Sequence, residues 1–162
     1  MAKSDKANEK TNVMRQLDQA GIAYTPRYYD ASLASGTEVA TALGQSAECV
    51  FKTLVAEANT GEHFVFVIPA PETLSLKKAA KAADVKSIAM LPQKKLLPLT
   101  GYVHGGCSPV GMKKPFPTWI DETALLTDAF FCSAGRLGAQ IGIDPEALAG
   151  YIGAQFADLT EE

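Results

Sequence analysis

Lys52 is the residue whose chemistry fits its sequence neighbours least. It lies in the apolar run 51–55, where the alternation of a β-strand places it on the same face as Leu54 and Ala56. An ammonium group on such a face is costly to desolvate unless an anion or an acceptor meets it. The pattern therefore indicates either a ligand-binding lysine or a lysine whose head reaches water at a sheet edge.

The glycine-rich segment 101–111 is a second candidate for function. It holds Gly101, Gly105, Gly106 and Gly111 together with Ser108. Glycine allows positive φ and close backbone approach, so such a loop can direct several N–H groups at one ligand oxygen. The segment matches neither the P-loop spacing nor GxGxxG, and a tight connection between two strands explains it equally well.

Ser133 and Arg136 form the third candidate, in the segment Ser-Ala-Gly-Arg-Leu-Gly that ends a predicted strand. Arg136 is the only basic residue among positions 121–162, which carry eight acidic residues. Its guanidinium could bind a carboxylate of this protein or a phosphate of a partner.

Neither histidine stands at the spacing of a known catalytic or metal-binding motif. The sequence lacks HExxH, GxSxG and CxxC, so it supports no metal site, disulfide framework or catalytic triad. His104 and Cys107 could be imagined as a thiol–imidazole pair, but two residues in one loop do not establish a nucleophile and its base. We expect no metal and no cofactor.

The charge distribution is asymmetric although the net charge is only −3. Residues 77–114 carry eight lysines and one acid, Asp84. Such a segment can contact phosphates, because each neutralised phosphate releases counterions, but a solvated lysine face explains it equally well. The weak overall charge argues against a protein that grips naked nucleic acid, such as DNA, unaided.

Periodicity and turn signals predict one α+β domain over residues 9–160, after a disordered start at residues 1–8. Hairpin-like strand order favours a mixed, mainly antiparallel sheet flanked by helices. No apolar run long enough to span a membrane and no signal-peptide pattern occur, so a cytoplasmic protein without membrane contact is expected. Helices are predicted at 9–20, 35–44, 76–83, 93–97 and 145–152, and strands at 22–29, 50–57, 63–69, 87–90, 118–121, 129–133, 139–143 and 154–156.

Four segments occur together in the order and spacing of the YbaK/EbsC family. They are Phe51-Lys-Thr-Leu54, Leu76-Lys-Lys-Ala-Ala80, the stretch from Thr100 to Lys114 that includes Gly105-Gly-Cys-Ser-Pro109, and Ser133-Ala-Gly-Arg-Leu-Gly138. The resemblance covers nearly the whole chain. The sequence most resembles the free-standing Cys-tRNA(Pro) deacylases, relatives of the editing domain inserted in bacterial prolyl-tRNA synthetases.

The resemblance implies a trans-editing enzyme that removes cysteine mistakenly attached to proline tRNA. Cysteine is close to proline in size, so a synthetic site rejects it poorly and a second, deacylating site is needed. The family further implies a barrel-like fold without metal or cofactor. Its substrate is the acceptor end of aminoacyl-tRNA, and prolyl-tRNA synthetase is the implied partner. In the family account the substrate's own thiol attacks its ester carbonyl.

The same resemblance assigns residues to the site. Lys52 corresponds to the essential lysine, and Gly105 is expected to be catalytic, because N–H groups near Gly105 and Gly106 can stabilise an oxyanion. Substrate-binding residues are expected at Tyr29, Gly101, Gly106, Ser108, Ser133 and Arg136.

Two positions of the glycine-rich segment depart from the family pattern, since His104 and Cys107 stand where apolar residues are usual. Other members of the superfamily remove alanine, so alanine is an alternative substrate. A catalytically silent module that binds tRNA or a synthetase is the alternative from another functional class.

Overall fold

The computed structural model describes residues 9–33 and 35–161, which form five α-helices and eight β-strands. The predicted disordered start lies outside the described residues. The helices are α1 (Asn12–Ala20), α2 (Gly36–Leu43), α3 (Leu76–Ala83), α4 (Leu96–Thr100) and α5 (Pro145–Ile152). The strands are β1 (Thr25–Tyr28), β2 (Phe51–Ala58), β3 (His63–Pro69), β4 (Ile88–Met90), β5 (Thr118–Asp121), β6 (Phe130–Ser133), β7 (Ala139–Ile143) and β8 (Gln155–Ala157).

The strands form a three-stranded sheet of order β1-β7-β6 and a five-stranded sheet of order β4-β2-β3-β5-β8. All neighbours pair antiparallel except β5, which runs parallel to both β3 and β8. An isolated bridge between Val50 and Phe131 links the sheets, which do not close into one barrel within the described residues. The predicted mixed, mainly antiparallel α+β fold is therefore confirmed.

Two hydrophobic clusters cover the two faces of the five-stranded sheet. The larger one holds Phe51 and Val55 of β2, side chains of β6 and β7, and the apolar faces of α1 and α5. The smaller one packs Ala56 and Phe66 against α3, whose Ala79 lets the helix approach the sheet closely. The predicted alternation of β2 is thus confirmed, and it places Lys52 on the face that α3 covers.

Most element boundaries follow from local signals. Ser35 caps α2 by accepting a hydrogen bond from the Glu38 N–H at 3.2 Å, as the predicted capping box requires. Thr11 caps α1, so this helix begins at Asn12 and not at the predicted position 9. The strand predicted at 22–29 is shorter and lies at a sheet edge, where Pro26 removes no ladder hydrogen bond. None of the described helices is long and apolar enough to cross a membrane.

Candidate active site

The N-terminal half of β2 has an open edge. β4 pairs with only the last three residues of β2, and the final bond on this side runs from the Leu91 N–H to the Val55 carbonyl at 3.1 Å. Pro92 has no N–H, and the chain then turns into the 3₁₀ helix Gln93–Lys95. Strand alternation therefore directs the backbone N–H and C=O of Thr53 away from β3, toward an edge that no strand occupies.

A cavity of about 400 Å³ lies at this edge. Its wall combines the N-terminal half of β2 with the chain around Tyr29 and α2, the glycine-rich segment, Leu96, and the facing ends of β6 and β7. Among the described residues that line it, Lys52 is the only lysine, arginine, aspartate or glutamate. The cavity therefore carries one fixed positive charge with no acidic side chain on its wall.

Lys52 is half-buried at the cavity wall. Burial lowers the pKa of its ammonium group, and the negative charge of nearby Glu72 acts in the opposite direction. Such a cation, partly removed from water and without a direct ion pair, can bind a developing negative charge strongly. The structure thus places the Lys52 side chain at a cavity wall and only half-exposed.

The glycine-rich segment reaches the cavity through a tight turn. The Gly106 N–H donates to the Val103 carbonyl at 3.0 Å, and Gly105 has φ +87°, which together define a type II turn with its obligatory glycine. The Gly105 N–H has no acceptor among the described residues. The oxyanion donor expected at Gly106 is therefore already engaged in the turn, whereas the Gly105 amide is not engaged by any described residue.

Ser133 and Tyr29 also line the cavity, at the C-terminal ends of β6 and β1, beside the start of β7. The Ser133 hydroxyl donates to the Gly106 carbonyl at 3.0 Å and accepts from the Gly135 N–H at 3.1 Å. It therefore ties the glycine turn to β6 and has no proton left for a ligand. The Tyr29 N–H donates to the Gly138 carbonyl at 3.0 Å. This bond fixes the position of the chain at Tyr29 on the cavity wall.

Four predicted substrate-binding residues lie outside the cavity wall. Gly101 ends α4 with φ +86°, and Gly106 packs so closely on Arg136 that a Cβ would lie 3.1 Å from its Cα. The buried Ser108 hydroxyl accepts from the Val110 N–H at 3.2 Å. The Arg136 guanidinium donates to the Leu137 carbonyl and lies 5.9 Å from the Tyr28 ring centroid. These residues shape and pin the loops that carry the wall.

The structure adds two polar residues that the sequence did not single out. Thr53 Oγ1 and Gln140 Oε1 are the two buried side-chain polar atoms without a hydrogen-bond partner among the described residues, and both residues line the cavity. Buried polar atoms are normally paired, because leaving one unpaired costs about 1–3 kcal/mol. Both oxygens belong to residues of the same cavity wall, where the threonine hydroxyl can donate or accept a hydrogen bond and the amide oxygen can accept one.

Cys107 and His104 both line the cavity as well. Burial raises the pKa of the Cys107 thiol to about 12, so it remains protonated at neutral pH. No hydrogen bond joins the two side chains. Among residues 9–33 and 35–161, no three metal-ligating side chains come together. The wall therefore offers no activated nucleophile of its own.

Fold and cavity together place the chain among the small editing domains that act on aminoacyl-tRNA. The chain belongs to the aminoacyl-tRNA editing domain family, whose sequence model matches residues 30–151. The matched region contains every lining residue of the cavity except Tyr29. The family resemblance read from the four sequence segments is thereby confirmed.

Full-length relatives support the same assignment. EbsC of Enterococcus faecalis, named as a candidate Cys-tRNA(Pro)/Cys-tRNA(Cys) deacylase, is 43% identical over 99% of this chain and 98% of its own length. A crystal structure described as a candidate trans-editing enzyme for prolyl-tRNA synthetase is 26% identical, with a TM-score of 0.82 over 95% of this chain and 100% of its own. A hypothetical protein of 24% identity shares the fold, with a TM-score of 0.86 over 93% of this chain and 100% of its own.

Proposed function

We propose that this protein is a trans-editing deacylase that cleaves the ester between cysteine and tRNA(Pro), with Cys-tRNA(Cys) as a second substrate. The observation that carries the proposal is the cavity at the open edge of β2, where Lys52 is the only fixed charge among the described lining residues and none of these is acidic. Ester cleavage places negative charge first on the carbonyl oxygen and then on the departing ribose oxygen. A cationic cavity stabilises both charges.

The reaction is initiated by the substrate's thiol. Its sulfur attacks the ester carbonyl of the same cysteine, the carbon–oxygen bond to the ribose breaks, and the thiol proton passes to the departing ribose oxygen. The product is a four-membered cyclic thioester, which water opens to free cysteine. Lys52 favours the thiolate and the oxyanion, and the free Gly105 N–H supplies a second donor to the oxyanion.

Thr53 and Gln140 hold the α-amino group of the aminoacyl ester. Their side-chain oxygens are unpaired acceptors on the cavity wall, and an α-ammonium group carries three N–H donors. A hydrogen bond to a charged donor is worth about 1.5–3 kcal/mol. Binding the amino group there fixes the direction from which the side-chain thiol approaches the carbonyl.

Replacing Thr53 by valine tests this contact. Valine has the shape of threonine without the hydroxyl, so Thr53→Val should lower kcat/KM for Cys-tRNA(Pro) by about 10-fold or more. The free energy of unfolding should stay unchanged or rise, because the variant removes an unpaired buried oxygen. Steady-state kinetics and urea denaturation measure the two effects.

Thr118→Val is the matched control. The Thr118 hydroxyl is also buried, but it donates to the Phe116 carbonyl at 2.9 Å and lies outside the cavity wall. This variant should lose about 1 kcal/mol of stability and keep its activity. If Thr53→Val instead behaves like Thr118→Val, the amino group does not bind at Thr53.

Prolyl-tRNA synthetase is the proposed partner that presents Cys-tRNA(Pro). The cavity can recognise only the aminoacyl end, and a net charge of −3 disfavours strong binding to the tRNA body. We therefore assign the choice of tRNA to the synthetase and the choice of amino acid to the cavity.

The direct test of the proposal follows the release of labelled cysteine from Cys-tRNA(Pro), with and without the synthetase. Turnover well above spontaneous ester hydrolysis is expected, faster than for Ala-tRNA(Pro) and increased by the synthetase. Faster release of alanine would make this an alanine deacylase. Binding of tRNA without turnover of either ester would leave the silent binding module as the function.

A further inference from the structure

A second cavity lies on the surface between α3 and β4. We call it the lysine groove; it has a volume of about 370 Å³. Apolar side chains form its floor, including Ala80, Val85 and Ile88, while Lys77 and Lys81 stand on one side and Lys86 on the other. No aspartate or glutamate is among its described lining residues.

The side chains of the three groove lysines have no partner among the described residues. The ammonium groups of Lys77, Lys81 and Lys86 make no hydrogen bond or ion pair with any described residue. Lys78, on the same helix but outside the groove, pairs with Asp158 at 3.0 Å. The ion pair of α3 thus forms away from the groove, and the charges inside it remain available.

Helix stability does not explain Lys77. The first turn of α3 has no acidic residue and carries Lys77, where a positive charge opposes the helix dipole, whereas Lys81 in the last turn complements it. Lys77 and Lys81 are four residues apart, so their side chains leave the same helix face about 5–6 Å from each other. Such a pair, with Lys86 across the groove, suits a ligand with successive anionic groups.

The groove adjoins the C-terminal end of β2, and the catalytic cavity adjoins its N-terminal half. Ile88 pairs opposite Ala58, on the edge of β2 that is open farther along at Thr53. The α3 helix covers the face of β2 on which Lys52 lies. The distance along β2 from Ala58, beside the groove, to Lys52, at the catalytic cavity, is about 20 Å.

We propose that the lysine groove binds backbone phosphates of the acceptor arm of aminoacyl-tRNA while the aminoacyl end occupies the cavity at Lys52. That the bound polyanion is tRNA rests on the proposed function. Phosphate contacts position a nucleic acid without reading its sequence, so they leave tRNA identity to the synthetase.

The test compares two triple variants with equal loss of charge. The groove variant is Lys77→Gln/Lys81→Gln/Lys86→Gln. The control, Lys10→Gln/Arg15→Gln/Lys114→Gln, changes exposed residues outside both cavities. Each is measured on Cys-tRNA(Pro) and on cysteinyl-adenosine, which keeps the ester and lacks the acceptor-arm phosphates.

The groove variant should lose about 10-fold or more in kcat/KM on Cys-tRNA(Pro) at low salt. The slope of log kcat/KM against log salt should become shallower by about 2, because fewer counterions are released. Activity on cysteinyl-adenosine should not change, and the control should resemble the wild type on both substrates. An unchanged salt slope, or an equal loss on both substrates, would overturn the inference.

A binding measurement separates this inference from the proposed function. Fluorescence anisotropy with labelled, uncharged tRNA(Pro) reports phosphate contacts without any turnover. If the wild type cleaves neither ester, the deacylase proposal fails, while weaker and less salt-dependent binding by the groove variant still supports the groove. Equal binding of tRNA by the groove variant and the control would reject the lysine groove as a phosphate-binding site and would leave the deacylase proposal unaffected.

Discussion

Lys52→Ala should abolish deacylation of Cys-tRNA(Pro) while the protein stays folded. Among the described residues of the cavity wall, Lys52 is the only lysine or arginine that can place a fixed positive charge on the oxyanion. A preorganised donor of this kind is worth about 10²–10³ in kcat. Single-turnover kinetics on Cys-tRNA(Pro) measure the loss, and thermal denaturation measures the fold.

Lys52→Met separates charge from packing, because methionine keeps most of the aliphatic stem that crosses the apolar face of β2. It should be as inactive as Lys52→Ala and at least as stable as the wild type. Full activity in either variant would remove Lys52 from the mechanism.

The pH dependence of kcat/KM tests the role of the Lys52 ammonium group independently. Burial lowers its pKa, so activity that needs the ammonium form should fall, as pH rises, below the range of an ordinary lysine. Glu72 raises that pKa, and Glu72→Gln should therefore move the alkaline limb of kcat/KM to lower pH. If the alkaline limb of kcat/KM does not move in Glu72→Gln, ionisation of Lys52 does not determine that limb.

Replacing the cysteine of the substrate by serine should cost about two orders of magnitude or more in rate. A hydroxyl is far less acidic and less nucleophilic than a thiol near neutral pH, so it attacks the ester carbonyl more slowly. Ser-tRNA(Pro) and Cys-tRNA(Pro), compared in single-turnover experiments, measure the difference.

Cys107→Ser is the companion experiment on the protein. With its pKa raised to about 12, the Cys107 thiol is ionised in about one molecule in 10⁵ at pH 7, so it is a poor nucleophile. The variant should keep most of the wild-type activity. An inactive Cys107→Ser, together with Ser-tRNA cleaved as fast as Cys-tRNA, would show that the protein's own thiol attacks.

Only some residues of the candidate site could be predicted from the sequence. Lys52 and Gly105 could be singled out because a lysine in an apolar strand and a glycine-rich loop are anomalous among their own neighbours. Thr53 and Gln140 could not, since a threonine in a strand and a glutamine near a strand start are ordinary residues. What distinguishes them is that neither side-chain oxygen has a hydrogen-bond partner among the described residues, which depends on how the fold places β2 and β7 around the cavity.

The sequence by itself determined the features that depend on residues a few positions apart. The capping box at Ser35, the hairpin of β2 and β3, and the edge position that Pro26 imposes on β1 are of this kind. The four family segments likewise determined the family. Each signal is local, because steric limits and short-range hydrogen bonds act between near neighbours on the chain.

Only the tertiary structure decided which polar groups remain free for a ligand. The Gly106 N–H is engaged by the Val103 carbonyl, and the Ser133 hydroxyl donates its proton to the Gly106 carbonyl, neither of which the residue types reveal. The Gly105 N–H and the Thr53 oxygen stay unpaired at one cavity. A hydrogen-bonding group is available only where folding brings no partner to it, and segments far apart in the chain determine where that happens.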